Sequence, residues 1–299
     1  MRKIATPFSG KMEGKRPLDG HPNPYFEREN ILNLNGYWDF SLDKSPLSPK
    51  EYETKILVPF SVESPLSGVE KEVKKDDYLH YRKRVSIPRA FRNEKARLVF
   101  SAIDQVAKVY VDGEFLGEND FGYGIFDVLF DLKGREEVTI EVLAKDDTAS
   151  PDHARGKQSF RPGGIWYTPT SGIWGSVYLE FLPLSGYLKK LEATPSFDEK
   201  KVLIKAEIEG KDESALARIY FEDKFLEEKR LDEKGEASFD LSSDFHPWNM
   251  ENPNLYHYEI RLGKDHVKSV FAFRKIERVE IGGMPFLLLG STYPCGWSR

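Results

Sequence analysis

The period of the apolar residues constrains this chain most. Val202, Ile204, Ala206 and Ile208 share one side of an extended chain, with Lys205, Glu207 and Glu209 among those opposite. Tyr256, Tyr258, Ile260 and Leu262 alternate with His257, Glu259 and Arg261. Val138, Ile140 and Val142 repeat the pattern, as do Val177, Leu179 and Phe181. Successive side chains on a strand point to opposite faces, so a period of two predicts half-buried strands. No window long enough for a helix carries a sustained i, i+3, i+4, i+7 apolar stripe. Between the apolar runs lie turn signals, the clearest being Asp112-Gly113 within Val109 to Gly117. Asp-Gly favours a tight primed turn because Gly takes positive φ cheaply. Short strands joined by turns, without long helices, predict an all-β chain built of sandwiches.

A chain of 299 residues suggests two domains. The boundary is expected near Leu182-Pro183-Leu184-Ser185-Gly186, which separates irregular strands with long loops from shorter, cleaner ones. The later stretch has the length of an immunoglobulin-like sandwich, about 100 residues. The expected division is residues 1–183, 184–278 and a tail at 279–299. Pro7 to Pro24, rich in Pro, Gly and Lys, reads as an extended arm over the surface or onto a partner domain. The mixed-sign runs Lys71 to Asp77 and Glu222 to Arg230 read as solvated faces and turns.

Composition narrows the function. A net charge of -5 argues against a nucleic-acid partner, which calls for a basic surplus. No apolar run is long enough to span a membrane. Cys295 stands alone, so no internal disulfide forms. Met1 to Pro7 lacks the apolar core of a signal peptide, and a cytoplasmic location is the expectation. His21, His80, His153, His246, His257 and His266 are scattered, with no zinc-binding spacing. Phosphate-binding glycine loops and nucleophile elbows are missing from the sequence. Neither a metal nor a cofactor is expected.

Several segments, in fixed order, resemble the front half of family 2 of the glycoside hydrolases, the family of β-galactosidases, β-glucuronidases and β-mannosidases. They begin with Leu34-Asn35-Gly36-Tyr37-Trp38-Asp39-Phe40, then Val58-Pro59-Phe60-Ser61 and Tyr81-Arg82-Lys83. The Val109 to Gly117 hairpin follows, with Asp112 where the family usually has Asn, and then Gly122-Tyr123 and Phe126-Asp127. The most specific stretch is Arg155-Gly156-Lys157-Gln158 with Trp166-Tyr167-Thr168-Pro169-Thr170-Ser171-Gly172-Ile173-Trp174. Pro247-Trp248, Glu251-Asn252-Pro253-Asn254-Leu255-Tyr256 and Phe273-Arg274-Lys275-Ile276 complete the series. Residues from about 25 to 289 are covered. Each piece also has a plain physical role. Trp38, Trp166 and Trp174 suit core or corner positions, and Pro169 to Gly172 suits a rigid turn.

The resemblance implies a galactose-binding-like jelly-roll sandwich followed by an immunoglobulin-like sandwich. It also implies a retaining β-glycosidase whose two catalytic carboxylates sit about 5–5.5 Å apart on a barrel of about 250 residues. Too few residues follow Met284 to Leu289 for that barrel, so no catalytic residue is assigned here. Met284 to Leu289 itself reads as the start of a barrel strand, exposed or held by another chain without its barrel. In the resembled branch, loops of the first sandwich reach over the barrel mouth. Asp152, Arg155, Lys157 and Gln158 are therefore candidates to hydrogen-bond sugar hydroxyls, and Tyr167 to stack on a ring. Arg155 and Lys157 also read as loop anchors making interdomain salt bridges. The implied partners are a carbohydrate, the catalytic barrel and further copies of the chain. Three functions stay open: an accessory region of a hydrolase, a stand-alone carbohydrate-binding protein, and an enzyme with paired carboxylates on a sandwich.

Overall fold

A computed structural model describes residues 16–210, 215–281, 284–289 and 293–294. Among the described residues there is no α-helix, only strands and short 3-10 turns. The chain forms two compact units. One joins residues up to Pro22 with Ile31–Leu182; the other joins Asn23–Asn30 with the chain from Pro183 onward.

The first unit is a sandwich of a four-stranded and a six-stranded antiparallel sheet. The smaller sheet runs Phe126–Asp131, Lys95–Phe100, Val177–Leu182, Ile31–Asn33. The larger runs Thr54–Val58, Gly36–Asp43, Tyr78–Ser86, Glu137–Lys145, Val106–Val111, Glu114–Asn119. Their inner faces supply one apolar core that includes Trp38, Phe40, Tyr81, Phe100, Val142 and Phe181. The Trp38 indole N–H donates to the Leu34 carbonyl at 2.9 Å, so this buried ring leaves no donor unpaired. Asp112 and Gly113 both take positive φ, 50° and 81°, as a primed hairpin turn requires. Ile103–Asp104 and Gly172–Ile173 pair as a short two-stranded sheet. Gly172 is required there: its φ is 83°, and a Cβ would lie 2.0 Å from the Tyr81 hydroxyl.

Val177–Leu182 departs from the half-buried expectation, because all six residues are buried. The strand has a neighbour on each side in the sheet. On its second face the buried Glu180 carboxylate takes the Arg97 guanidinium, the Nε at 2.8 Å. Alternation of Val, Leu and Phe with Tyr and Glu therefore marks here a strand whose polar face is also covered.

The second unit packs a five-stranded sheet against a three-stranded one, with Phe239, Tyr256, Ile260, Phe271 and Phe273 in the core. The five-stranded sheet runs Glu27–Arg28, Asp265–Phe271, Tyr256–Leu262, Leu216–Phe221, Lys224–Arg230. The three-stranded sheet runs Gly186–Ser196, Lys201–Gly210, Glu236–Asp240. Two sequence readings change here. Residues 23–30, placed by sequence in the first domain, pack in the second unit, with Glu27 opposite Lys268 and Arg28 opposite Val267. Lys224–Arg230, read as turn and solvated face, is an edge strand, and charge is what keeps an exposed edge from pairing with other chains.

The short first strand is held through its side chain. Arg28 is fully buried; one guanidinium nitrogen donates to Asp265 and the other to the Leu188 carbonyl at 2.6 Å. Asp265 also accepts the Leu188 N–H at 2.7 Å. One ion pair thus links residues from both sheets. Met284–Leu289, read as a barrel strand, is the middle strand of an antiparallel sheet between Ile276–Ile281 and Tyr293–Pro294. The reading of its side chains as exposed lies outside the described residues, as does the Pro7 to Lys15 part of the extended arm.

Candidate functional site

The five residues singled out in the sequence lie on one arm of the first unit, between the Glu137–Lys145 strand and Gly172–Ile173. The arm folds back on itself. Ser159 N–H donates to the Tyr167 carbonyl at 2.9 Å, and Tyr167 N–H to the Lys157 carbonyl at 2.8 Å. At the far end Gly163 and Trp166 exchange two backbone bonds of 3.0 and 3.1 Å. This tight reversal has Gly164 at φ 60°, a conformation that suits glycine. The tip presents Ile165, Trp166 and Tyr167 to solvent, with Tyr167 63% exposed. Trp166 is thus no core residue. Trp174 meets the corner expectation better: half-buried, it donates its indole N–H to the Gly122 carbonyl at 3.1 Å.

Gln158 and Arg155 turn inward. The Gln158 amide nitrogen donates to Asp104 at 3.0 Å and to the Tyr123 hydroxyl at 2.9 Å, and its oxygen accepts the Thr170 N–H. Both amide donors are used inside the protein, so none is left for a ligand. Arg155 donates to the Thr148 carbonyl of the same unit at 3.2 Å, a backbone contact and not the interdomain salt bridge of the anchor reading. Lys157, Asp152 and Tyr167 are exposed. Tyr167 meets Gln158 through a backbone bridge, and the Asp152 N–H donates to the Ser150 hydroxyl at 3.3 Å.

Beneath the arm lie acids that the sequence reading did not single out. Asp104 is buried, and Gly122 is what lets the chain pass over it: a Cβ there would fall 2.6 Å from its carboxyl oxygen. Asp146 accepts from the Ser171 hydroxyl at 2.7 Å and from Thr148 at 2.9 Å. Glu63 accepts the Ser171 N–H at 3.0 Å, while its other oxygen is buried without a partner. Burial disfavours the charged form, and it raises all three carboxyls above their ordinary range, Asp104 to about 7. Gly122-Tyr123 was legible as a motif, but the acids around it are brought together only by folding. No group of three or more His, Cys, Asp or Glu suited to a metal ion occurs among the described residues.

A sequence model of the family described as glycosyl hydrolases family 2 matches residues 187–274. The matched residues all fall within the second unit. A β-glucuronidase from Streptococcus agalactiae is 30% identical over 101 residues, 33% of this chain and 17% of its own length. A β-galactosidase from Thermoanaerobacterium thermosulfurigenes is 23% identical over 279 residues, 82% of this chain and 37% of its own. The solved structure of a β-glucuronidase from an uncultured Clostridium sp. superposes with a TM-score of 0.65 at 18% identity, over 91% of this chain and 50% of that one. That likeness gives the fold. The chain spans half or less of the length of each of these proteins.

Proposed function

We propose that this chain serves as the accessory half of a retaining β-glycosidase, inactive alone, and that its 155–167 arm borders the sugar site of a catalytic barrel. The observation that carries the reading is the order of parts: a family 2 domain preceded by a jelly-roll-like sandwich, in a chain that matches half of a solved β-glucuronidase. The acids support it as well. Asp104, Asp146 and Glu63 hold the base of the arm and are bonded to Gln158, Thr148 and Ser171. In the complete enzyme the barrel carboxylates would perform a double displacement at the anomeric carbon, with water as final acceptor. The test is turnover of a panel of aryl β-glycosides by the purified chain at high concentration. No turnover above buffer is expected. Turnover that survives repurification and vanishes in Asp104→Asn would sink the accessory reading in favour of a site on the sandwich.

A second reading, a stand-alone carbohydrate-binding protein, is favoured by the exposed Trp166 and Tyr167 rings, which suit the apolar face of a sugar. Saturating calorimetric binding of a mono- or disaccharide by the chain, lost in Trp166→Ala, would favour it over the first.

A further inference from the structure

The carboxyls under the arm break a common rule of protein interiors. Buried charges are normally paired, because leaving water costs far more than an unpaired charge recovers. Asp104 is 3% exposed, and what bears on it is one neutral donor, Gln158, and two other acids, Asp146 and Glu63. Gln158 comes from the arm, and Tyr123 from the segment after Glu114–Asn119. Asp146 comes from the end of the Glu137–Lys145 strand, and Glu63 from beyond Thr54–Val58. His153 acts on Asp146 rather than on Asp104. Arg155, the nearby cation of the arm, is bonded to a backbone carbonyl. Gln158 joins the arm to Asp104, Tyr123 and Thr170.

We propose that Gln158 is the latch of the 155–167 arm and that Asp104 makes the latch proton-linked, closed while Asp104 is protonated and opening as it ionises. When the arm lifts, Gln158 leaves Asp104 and the carboxyl meets water. Opening then releases one proton, and no other bond in the step is covalent. Burial holds the closed-state carboxyl near 7, whereas a hydrated carboxyl titrates near 3.8. Closing therefore takes up a proton between those limits, and rising pH opposes it. Asp146 does not share this fate, because Ser171 and Thr148 hold it in the body of the unit. The inference goes beyond the glycosidase reading and needs no ligand, so the two stand or fall separately.

Hydrogen exchange of the full chain tests it, with protection factors for the Thr170 amide, which donates to Gln158, corrected for the intrinsic rate, from pH 4.5 to 8.5. Protection should fall about tenfold per pH unit between about pH 4.5 and 7 and level off above pH 7. Asp104→Asn should remove the slope, and Gln158→Ala should leave protection low at every pH. Level wild-type protection across the range, or an unchanged slope in Asp104→Asn, would overturn the proposal. If either variant also loses protection in the Lys95–Phe100 strand, it has unfolded, and the wild-type profile decides alone.

Discussion

The acids under the arm of the first unit and the ion pairs of the second treat buried charge in opposite ways. In the second, Arg28 meets Asp265, and His266 stands between Glu29 and Glu259 at 2.8 Å on each ring nitrogen. The guanidinium of Arg218 and the hydroxyl of Tyr220 also reach Glu259. In the first, Asp104, Asp146 and Glu63 lie under the arm with hydroxyl, amide and backbone partners. Paired charge makes a rigid joint whose removal is felt as lost stability. Charge without a counter-ion makes a group that titrates near the working pH, which is what sites of binding or conformational control require. The contrast assigns structure to the ion pairs, Arg97 with Glu180 in the first unit included, and control to the acids under the arm.

The heaviest blow to that contrast comes from Arg28. Arg28→Met leaves Asp265 buried and uncompensated, and should cost about 3–5 kcal/mol by denaturant unfolding. Adding Asp265→Leu should recover a large part of it. If the single variant loses nothing, the second unit is not held by its pair. Asp104→Asn tests the other side. The native carboxyl is raised to about 7 from 3.8, so its contribution is full below about pH 4 and lost as pH rises through 7. Wild-type stability should fall across that window, and the variant should gain up to about 4 kcal/mol at pH 8 with little change at pH 4. Equal gains at both pH values would remove the titration. Gly172→Ala forces a methyl group onto the Tyr81 hydroxyl and should cost about 1–3 kcal/mol, read as a lower Tm. The smallest effect belongs to Trp166→Ala, which should stay within about 0.5 kcal/mol of wild type, because the exposed tip contributes contact surface rather than core. A loss of several kcal/mol there would make the arm a structural element.

What the sequence disclosed follows the range of the interactions. The Asp112-Gly113 turn and the strand at Lys201–Gly210 depend on neighbours in sequence, and their pattern shows it. The burial of Glu180 depends on Arg97 on another strand, so Val177–Leu182 looked half-exposed. Arg28 carries no local sign of burial, since its partner is 237 residues away. The arm was found through its motif, with all five candidate residues on it, but their roles were not. Gln158 reads as a free amide in sequence and is a latch in space. Asp104 looks like any other of the 49 acidic residues until packing strips it of water.

The placement of residues 23–30 also sets a clock. This segment leaves the ribosome before the first sandwich is made, yet the strand it pairs with lies some 237 residues further along. At about 5–20 residues per second, Arg28 waits roughly 10–50 s for its carboxylate. During translation the whole first sandwich is made while the second still lacks most of its strands, and the nascent chain carries an unmatched strand and an unmatched cation throughout that interval.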